Sequence, residues 1–400
     1  MSEPAQAGTK RILLKLSLLF SSVDGMVASA LMVPLLGSIL TEYPDTSPEL
    51  LNQTISLPAL VMIPTILLTG YLSKFISKKY LLMFGSAVFI ASGFGSMYSP
   101  SVEALVVFRA CEGIGMGIVY PLAPAIIAHL FFGEERAKLI GWTNAVGGIF
   151  SFFLSITAGY IALVNWRYAF YFYLIFVIVI IMQGFLLPAF QPEKKDKEII
   201  GDSGLFDIKA RMGLPVYLTA SAMLIYCTVG MVILYNLAVF VTTEGLGNSA
   251  QIGLATSFNT FASIIFSFFF GYILKFLKRY HTVLGLILFA CSYFTFSIAN
   301  TMTLIYAASL LTGASLGCIF PYLLTRASQV APKAEKTMAV TLLSMAIYLG
   351  QFLSGYFAAW ISGLAGSHRQ LFLVEGILFL VFAAFAALYI RLTQKYESNF

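Results

Sequence analysis

Four ionisable side chains fall deep inside long apolar stretches of the chain: Asp24, Arg109, Glu112 and Glu375. A charge at bilayer depth costs about 3 kcal/mol or more, so such residues face a protein interior or a water-filled path rather than hydrocarbon. Arg109 and Glu112 stand one helical turn apart, at a spacing that lets them pair on one helix face. At 1.5 Å per residue, Asp24 lies about 18 Å above the inner end of the first apolar stretch. Arg109 and Glu112 lie about 21 and 17 Å from the same side, so all three share a depth near the midplane. One guanidinium between two carboxyls neutralises one of them and leaves the other free to exchange a proton. Asp24 is the expected exchanging acid, with Glu112 the constant partner of Arg109. A substrate cation would compete with the proton for that acid. Two other uses are open at this stage: Arg109 as counter-charge for an anionic substrate, or a permanently ionised bridge between helices. Glu375, about 9 Å inside the outer end of the last stretch, is expected to snorkel or pack.

No other chemistry is legible. The chain carries no nucleotide-binding P-loop, no zinc motif and no nucleophile–base constellation, so neither enzymatic activity nor a cofactor is expected. His129, His281 and His368 are scattered, and Cys111, Cys227, Cys291 and Cys318 lie in apolar stretches without metal-ligand spacing.

The elements that must hold these charges follow from composition. Of 400 residues 59% are hydrophobic and only 10% charged, where soluble domains run near 25% charged. This is an all-α polytopic membrane protein. Twelve apolar segments are expected near 12–40, 54–73, 80–98, 103–132, 138–163, 168–190, 214–243, 250–274, 282–300, 303–330, 337–363 and 370–392. The first is expected to be retained rather than cleaved as a leader. With the N-terminus placed in the cytoplasm, all of the 24 Lys and Arg except Arg109, Arg167 and Arg369 fall on the inner side. The positive-inside rule then puts both termini in the cytoplasm, and the formal charge of +6 needs no nucleic acid to explain it.

The longest charged stretch, within 191–213, reads as a cytoplasmic linker between an N-terminal six-helix bundle (1–190) and a C-terminal one (214–400). The halves repeat one another. Gly113, Gly117, Pro121, Glu135 and Arg136 match Gly313, Gly317, Pro321, Glu335 and Lys336 at an offset of about 200, and Gly70-Tyr71-x-x-Lys74-Phe75 matches Gly271-Tyr272-x-x-Lys275-Phe276. Duplicated six-helix halves are an architecture of secondary transporters, with the substrate site between the repeats.

Three stretches resemble the major facilitator superfamily: the loop from Gly70 through Lys74 to Lys78 and Lys79, the fourth-segment Arg109-x-x-Glu112-Gly113, and Trp166-Arg167-x-x-Phe170. The resemblance covers nearly the whole chain and implies two pseudo-symmetric six-helix bundles whose first and fourth helices line a central cavity. Two positions depart from the family pattern: Lys74 stands where an aspartate is usual, and Ser77 replaces a glycine. The fifth segment carries Leu154-Ser155 and Ala158-Gly159 in place of the Gly-Pro and Gly-Gly of drug–proton antiporters, although Asn144 and Gly147-Gly148 make it polar and closely packable.

The expected function is alternating-access transport of a small amphiphilic organic compound, by proton-coupled efflux from a monomer in the cell membrane, in contact with lipid. The alternative is uptake or exchange of a metabolite or organic anion against Arg109. Asn144, Tyr226, Tyr235, Asn236, Phe320 and Tyr322 are candidate cavity residues. Gly70, Lys74, Lys78, Lys79 and Lys275 are candidates for gating, and Gly113, Gly117, Pro121, Gly313, Gly317 and Pro321 for helix packing and bending.

Overall fold

In hydrocarbon every backbone N–H and C=O must find a protein partner, and apolar stretches of about 20 residues or more meet that need as helices, being twice the length of a barrel strand. The computed structural model describes residues 3–21, 23–73, 75–188, 190, 213–277, 280–331 and 336–397. Among these there is no strand. In the first half, α1 (Glu3–Ser21) and α2 (Asp24–Glu42) share the first apolar stretch, followed by α3 (Pro48–Leu72), α4 (Lys78–Gly95), α5 (Val102–Leu130), α6 (Gly133–Asn165) and α7 (Ile175–Leu186). In the second, α8 (Leu214–Gly230) and α9 (Val232–Thr243) share a stretch, as do α10 (Ser249–Phe268) and α11 (Phe270–Leu277). Then come α12 (His281–Ser297), α13 (Met302–Val330), α14 (Lys336–Ala365) and α15 (His368–Glu397).

Nine helical stretches among the described residues are long and apolar enough to cross a membrane, or ten with the bent pair α10–α11. One of the nine, Gly133–Leu186, is interrupted at Asn165, whose backbone is extended (φ −161°, ψ 117°), and so supplies two segments. The shorter apolar helix α12 supplies another. Helices therefore occupy all twelve expected segments.

Four segments differ from simple straight spans. The first is broken between Ser21 and Asp24. Ser17 and Ser21 bond back to the carbonyls of Leu14 and Ser17, a habit that bends helices, and an aspartate is at home in a helix's first turn. The sixth opens as a 3₁₀ helix over Trp166–Leu174. The seventh breaks at Met231, and the eighth bends by 61° at Phe269.

The chain forms two compact units, Met1–Leu154 with Ile161–Lys209, and Ser155–Tyr160 with Ala210–Phe400. Most of the 191–213 stretch, together with Lys74 and Glu335, lies outside the described residues. Within the first unit α5 packs against both α3 and α4; within the second, α13 packs in the same way against α10 and α12.

The repeat noted in the sequence is a repeat of contacts. A Cβ on Gly113 would meet the carbonyl oxygen of Pro58 at 2.5 Å, and one on Gly313 would overlap that of Asn259, its counterpart. One turn on, Gly117 approaches the carbonyl of Met62 and Gly317 that of Ser263. Proline then completes the pattern. Pro121 and Pro321 have no N–H for the carbonyl four residues back, and those carbonyls, of Gly117 and Gly317, instead accept from Thr69 (3.4 Å) and Ser267 (3.3 Å). Without a hydrophobic drive between helices in lipid, such close backbone approach and interhelical hydrogen bonding hold each unit together.

A second duplicated contact closes the outer ends. Arg167 bonds Glu42 (2.7 Å) and reaches the carbonyl of Ser99, and Arg369 bonds Glu244 (2.9 Å) and reaches that of Ser297.

The packing predicts a contrast between two glycines of the second unit. Gly313→Val is expected to cost about 1–3 kcal/mol through overpacking, whereas Gly271, with open space around it, should tolerate valine within about 0.5 kcal/mol. Thermal midpoints of the detergent-solubilised variants measure both; equal midpoints would contradict the α10–α13 contact.

Candidate functional site

Ser101 fixes the register of α5 by capping it, its side chain accepting from the N–H of Ala104. Two turns later Arg109 points into the first unit, fully buried. Its guanidinium pairs with Glu112 through Nη1, and the same nitrogen reaches the Tyr173 hydroxyl at 3.2 Å. Tyr173 in turn donates to the other oxygen of Glu112 at 2.6 Å. Both carboxylate oxygens of Glu112 are therefore occupied.

Two further donors of Arg109 go to backbone. Nε donates to the carbonyl of Thr54 at 2.8 Å and Nη2 to that of Ala28 at 3.2 Å. The Thr54 carbonyl is available because Pro58, four residues on in α3, has no N–H to offer it. Proline and arginine solve one another's problem: a carbonyl stranded in a buried helix receives a charged donor, and a buried charge receives a fixed dipole.

Asp24 stands in the first turn of α2, 4% exposed, with its Oδ1 buried and without a hydrogen-bond partner among the described residues. It lies within electrostatic reach of Glu112. The three expected residues are thus brought together, with the arginine committed to Glu112 and Asp24 beside the pair. Chemically this is a satisfied ion pair next to an unsatisfied acid, with Tyr173 the phenol that bridges within the pair.

Tyr173 carried no weight in the sequence reading. A signal for it exists in the second repeat: Trp166-Arg167-x-x-Phe170-x-x-Tyr173 aligns with His368-Arg369-x-x-Phe372-x-x-Glu375 at an offset of 202. Gln183 was also overlooked. It donates from α7 to the Ser21 hydroxyl at 2.6 Å and so pins the end of α1 beside the break.

Three of the candidate cavity residues of the second unit are buried with their polar atoms engaged. Tyr226 is buried among Phe289, Phe320 and Phe379, its hydroxyl 3.3 Å from that of Ser315. Tyr235 is fully buried and donates to the carbonyl of Gln351 at 2.6 Å. Asn236 is buried and bonds within its own helix, to Val232. Their polar atoms are engaged because a hydroxyl or amide buried in an apolar bundle needs a partner there. Phe320 and Tyr322 are half-buried, and Tyr322 lies 5.6 Å from the His281 ring. The side chain of Asn144 lies outside the described residues.

Of the candidate gating residues, Lys79 donates to the carbonyls of Gly184 and Leu187, each at 2.7 Å, and so caps the end of α7. Lys275, Gly70 and Gly271 are exposed, and Lys78 is half-buried. Of the two expectations for Glu375, snorkelling or packing, its full burial matches packing. His281 is also fully buried rather than in an exposed basic loop.

The family model of the Major Facilitator Superfamily matches residues 17–247 and 218–400. The chain belongs to that superfamily. It is a multi-pass membrane transporter, not an enzyme. Among curated relatives, the multidrug transporter protein MdtP of Bacillus subtilis is 28% identical over 178 residues, 42% of this chain and 31% of the relative. An arabinose-proton symporter of Escherichia coli is 31% identical over 153 residues, 38% of this chain and 31% of the relative. The matched stretches thus span about a third of either relative. Solved structures agree on the fold. A bacterial homologue of the human lysosomal transporter Spinster has a TM-score of 0.75 at 13% identity over 98% of both chains. A D-xylose-proton symporter has 0.73 at 17% identity, over 94% of this chain and 97% of its own.

Removing one member of the buried pair should expose its worth. Arg109→Met leaves Glu112 buried without its counter-charge and is expected to cost about 3–5 kcal/mol, whereas Arg109→Met with Glu112→Leu recovers most of that loss. Tyr173→Phe should cost about 1 kcal/mol. Thermal midpoints of the solubilised variants check all three, and an Arg109→Met protein as stable as the parent would refute the arrangement.

Proposed function

We propose that this transporter exports amphiphilic organic compounds in exchange for protons, with Asp24 the acid at which substrate and proton compete. The observation that carries the reading is the division of labour in the first unit: Glu112 is fully engaged by Arg109 and Tyr173, while Asp24 keeps a buried oxygen without a partner. A carboxyl in that position is neutral with a proton bound and, on losing it, presents the one uncompensated negative charge of the cluster, to which a lipophilic cation is attracted. The multidrug name borne by MdtP supports export. Transport proceeds by rocking of two six-helix halves about a midplane site, in a monomer with both termini cytoplasmic.

Proton-coupled uptake is the second reading, favoured by the arabinose-proton symporter among the relatives. In that reading Asp24 still carries the proton, and the substrate moves with it. Arg109 as counter-charge for an anionic substrate is the weakest variant, because four of its five N–H donors are already held by Glu112, Tyr173 and the carbonyls of Thr54 and Ala28.

Substrate-induced pH changes in proteoliposomes, measured over a panel of lipophilic cations, organic anions and sugars, separate these readings. Export predicts proton movement opposite to a cation, abolished in Asp24→Asn with normal expression. Proton movement together with a solute would establish uptake, and coupling retained in Asp24→Asn would remove Asp24 from the mechanism.

A further inference from the structure

The last helix buries an acid that nothing among the described residues neutralises. Glu375 is fully buried and neither carboxyl oxygen has a hydrogen-bond partner among them. Along α15 it lies about 9 Å from Arg369 and about 24 Å from Arg391. Phe372, Glu375 and Phe379 share one face of that helix. The ring of Tyr293, on α12, packs 6.2 Å from Phe372 and 5.7 Å from Phe379. Glu375 is thereby set against the Tyr293 phenol and within its electrostatic reach.

The surrounding helices offer no charge. α8, α9 and α12 contain no Asp, Glu, Lys or Arg, and α14 contains none from Thr341 onward. From α12 come Tyr293, the exposed Cys291, and His281 three turns away at the helix start. From α8 come Tyr217, Tyr226, bonded to Ser315, and the buried thiol of Cys227. α9 brings Tyr235, bonded to Gln351, and α14 brings Tyr348 and Tyr356. On α15 itself His368 and Arg369 lie toward the outer end, and Arg369 is held by Glu244.

The Tyr293 hydroxyl has one proton, and it is in use. It donates toward the carbonyls of Gly230 (3.1 Å) and Val229 (3.3 Å), at the end of α8 where the seventh segment breaks at Met231. Those carbonyls have lost their helical donors to the break. An ionised Glu375 would be a stronger acceptor for the same phenol proton than either carbonyl.

We propose that Glu375 is a proton-binding site of the second unit, and that release of its proton draws the Tyr293 hydroxyl away from Val229 and Gly230 and loosens the α8–α9 break. The proton leaves to water, the carboxylate accepts the Tyr293 O–H, and the phenol keeps its own proton throughout. The second unit thereby gains a protonation event of its own, separate from the one assigned to Asp24 and independent of whether that assignment holds.

The full chain in lipid nanodiscs, titrated with pH, provides the test. Infrared difference spectra should show a carboxylic-acid C=O band that disappears as pH rises, is absent in Glu375→Gln and persists in Asp24→Asn. In parallel, deuterium uptake of the peptide spanning Tyr226–Tyr235, corrected for the intrinsic rate, should rise about fivefold over the same pH range, the loss of roughly one hydrogen bond. Glu375→Gln should hold uptake at its low-pH level, and Tyr293→Phe should hold it high at every pH. A band unchanged in Glu375→Gln, uptake indifferent to pH in the parent protein, or normal pH dependence in Tyr293→Phe would each overturn the proposal.

Discussion

The first unit depends on a carbonyl that has no helical partner. Pro58 leaves the Thr54 oxygen unpaired in the interior of α3, and Arg109 reaches across from α5 to fill it. That single bond fixes the height of the guanidinium, and with it which carboxyl the guanidinium can reach. Glu112, one turn along the same helix, is always in range. Asp24 is on another helix, in the first turn after a break, and the guanidinium reaches that helix only through the carbonyl of Ala28. The unequal treatment of the two acids is thus a consequence of backbone chemistry. Tyr173 reinforces it by occupying the oxygen of Glu112 that arginine leaves free.

The two repeats use one scaffold for different polar work. The glycine approaches, the proline-freed carbonyls and the outer arginine clamps recur at offsets of 198 to 202. Behind them, one slot between the third and sixth segments of each unit is filled from opposite sides. In the first unit Gly93 leaves room for the ring of Tyr173. In the second, Tyr293 stands where Gly93 would be and Glu375 where Tyr173 would be. Each slot holds one phenol, but it serves an ion pair in one unit and a broken helix in the other.

What the sequence made legible follows from where the physics is local. Apolar length located all twelve segments, and the glycine–proline pattern revealed the repeat, because both are written in consecutive residues. The spacing of Arg109 and Glu112 likewise announced their pairing. Breaks at Ser21–Asp24 and Met231 were not legible: each lies inside one long apolar stretch, and the side chains that bond beside them, Gln183 and Tyr293, come from 162 and 63 residues away. Whether Glu375 snorkels or packs was not legible for a related reason: Glu244, 125 residues back, holds its neighbour Arg369 outward and leaves the acid inside.

The same reasoning applies to the aromatic residues of the second unit. A phenol in an apolar bundle is under the same obligation as a backbone group: its hydroxyl must be bonded or pay desolvation. Tyr226, Tyr235 and Tyr293 each meet it inside the unit, through Ser315, Gln351 and the α8 terminus. Two of the three bond main-chain carbonyls, so their hydroxyls tie helices together, and a rearrangement of the unit must first break or exchange those bonds. The exchange needs an acceptor stronger than a carbonyl. In the second unit the acid set against Tyr293 is the only carboxyl on the helices around it, α8, α9, α12 and α15 between their charged ends, so Glu375 is the strongest acceptor those helices offer that phenol.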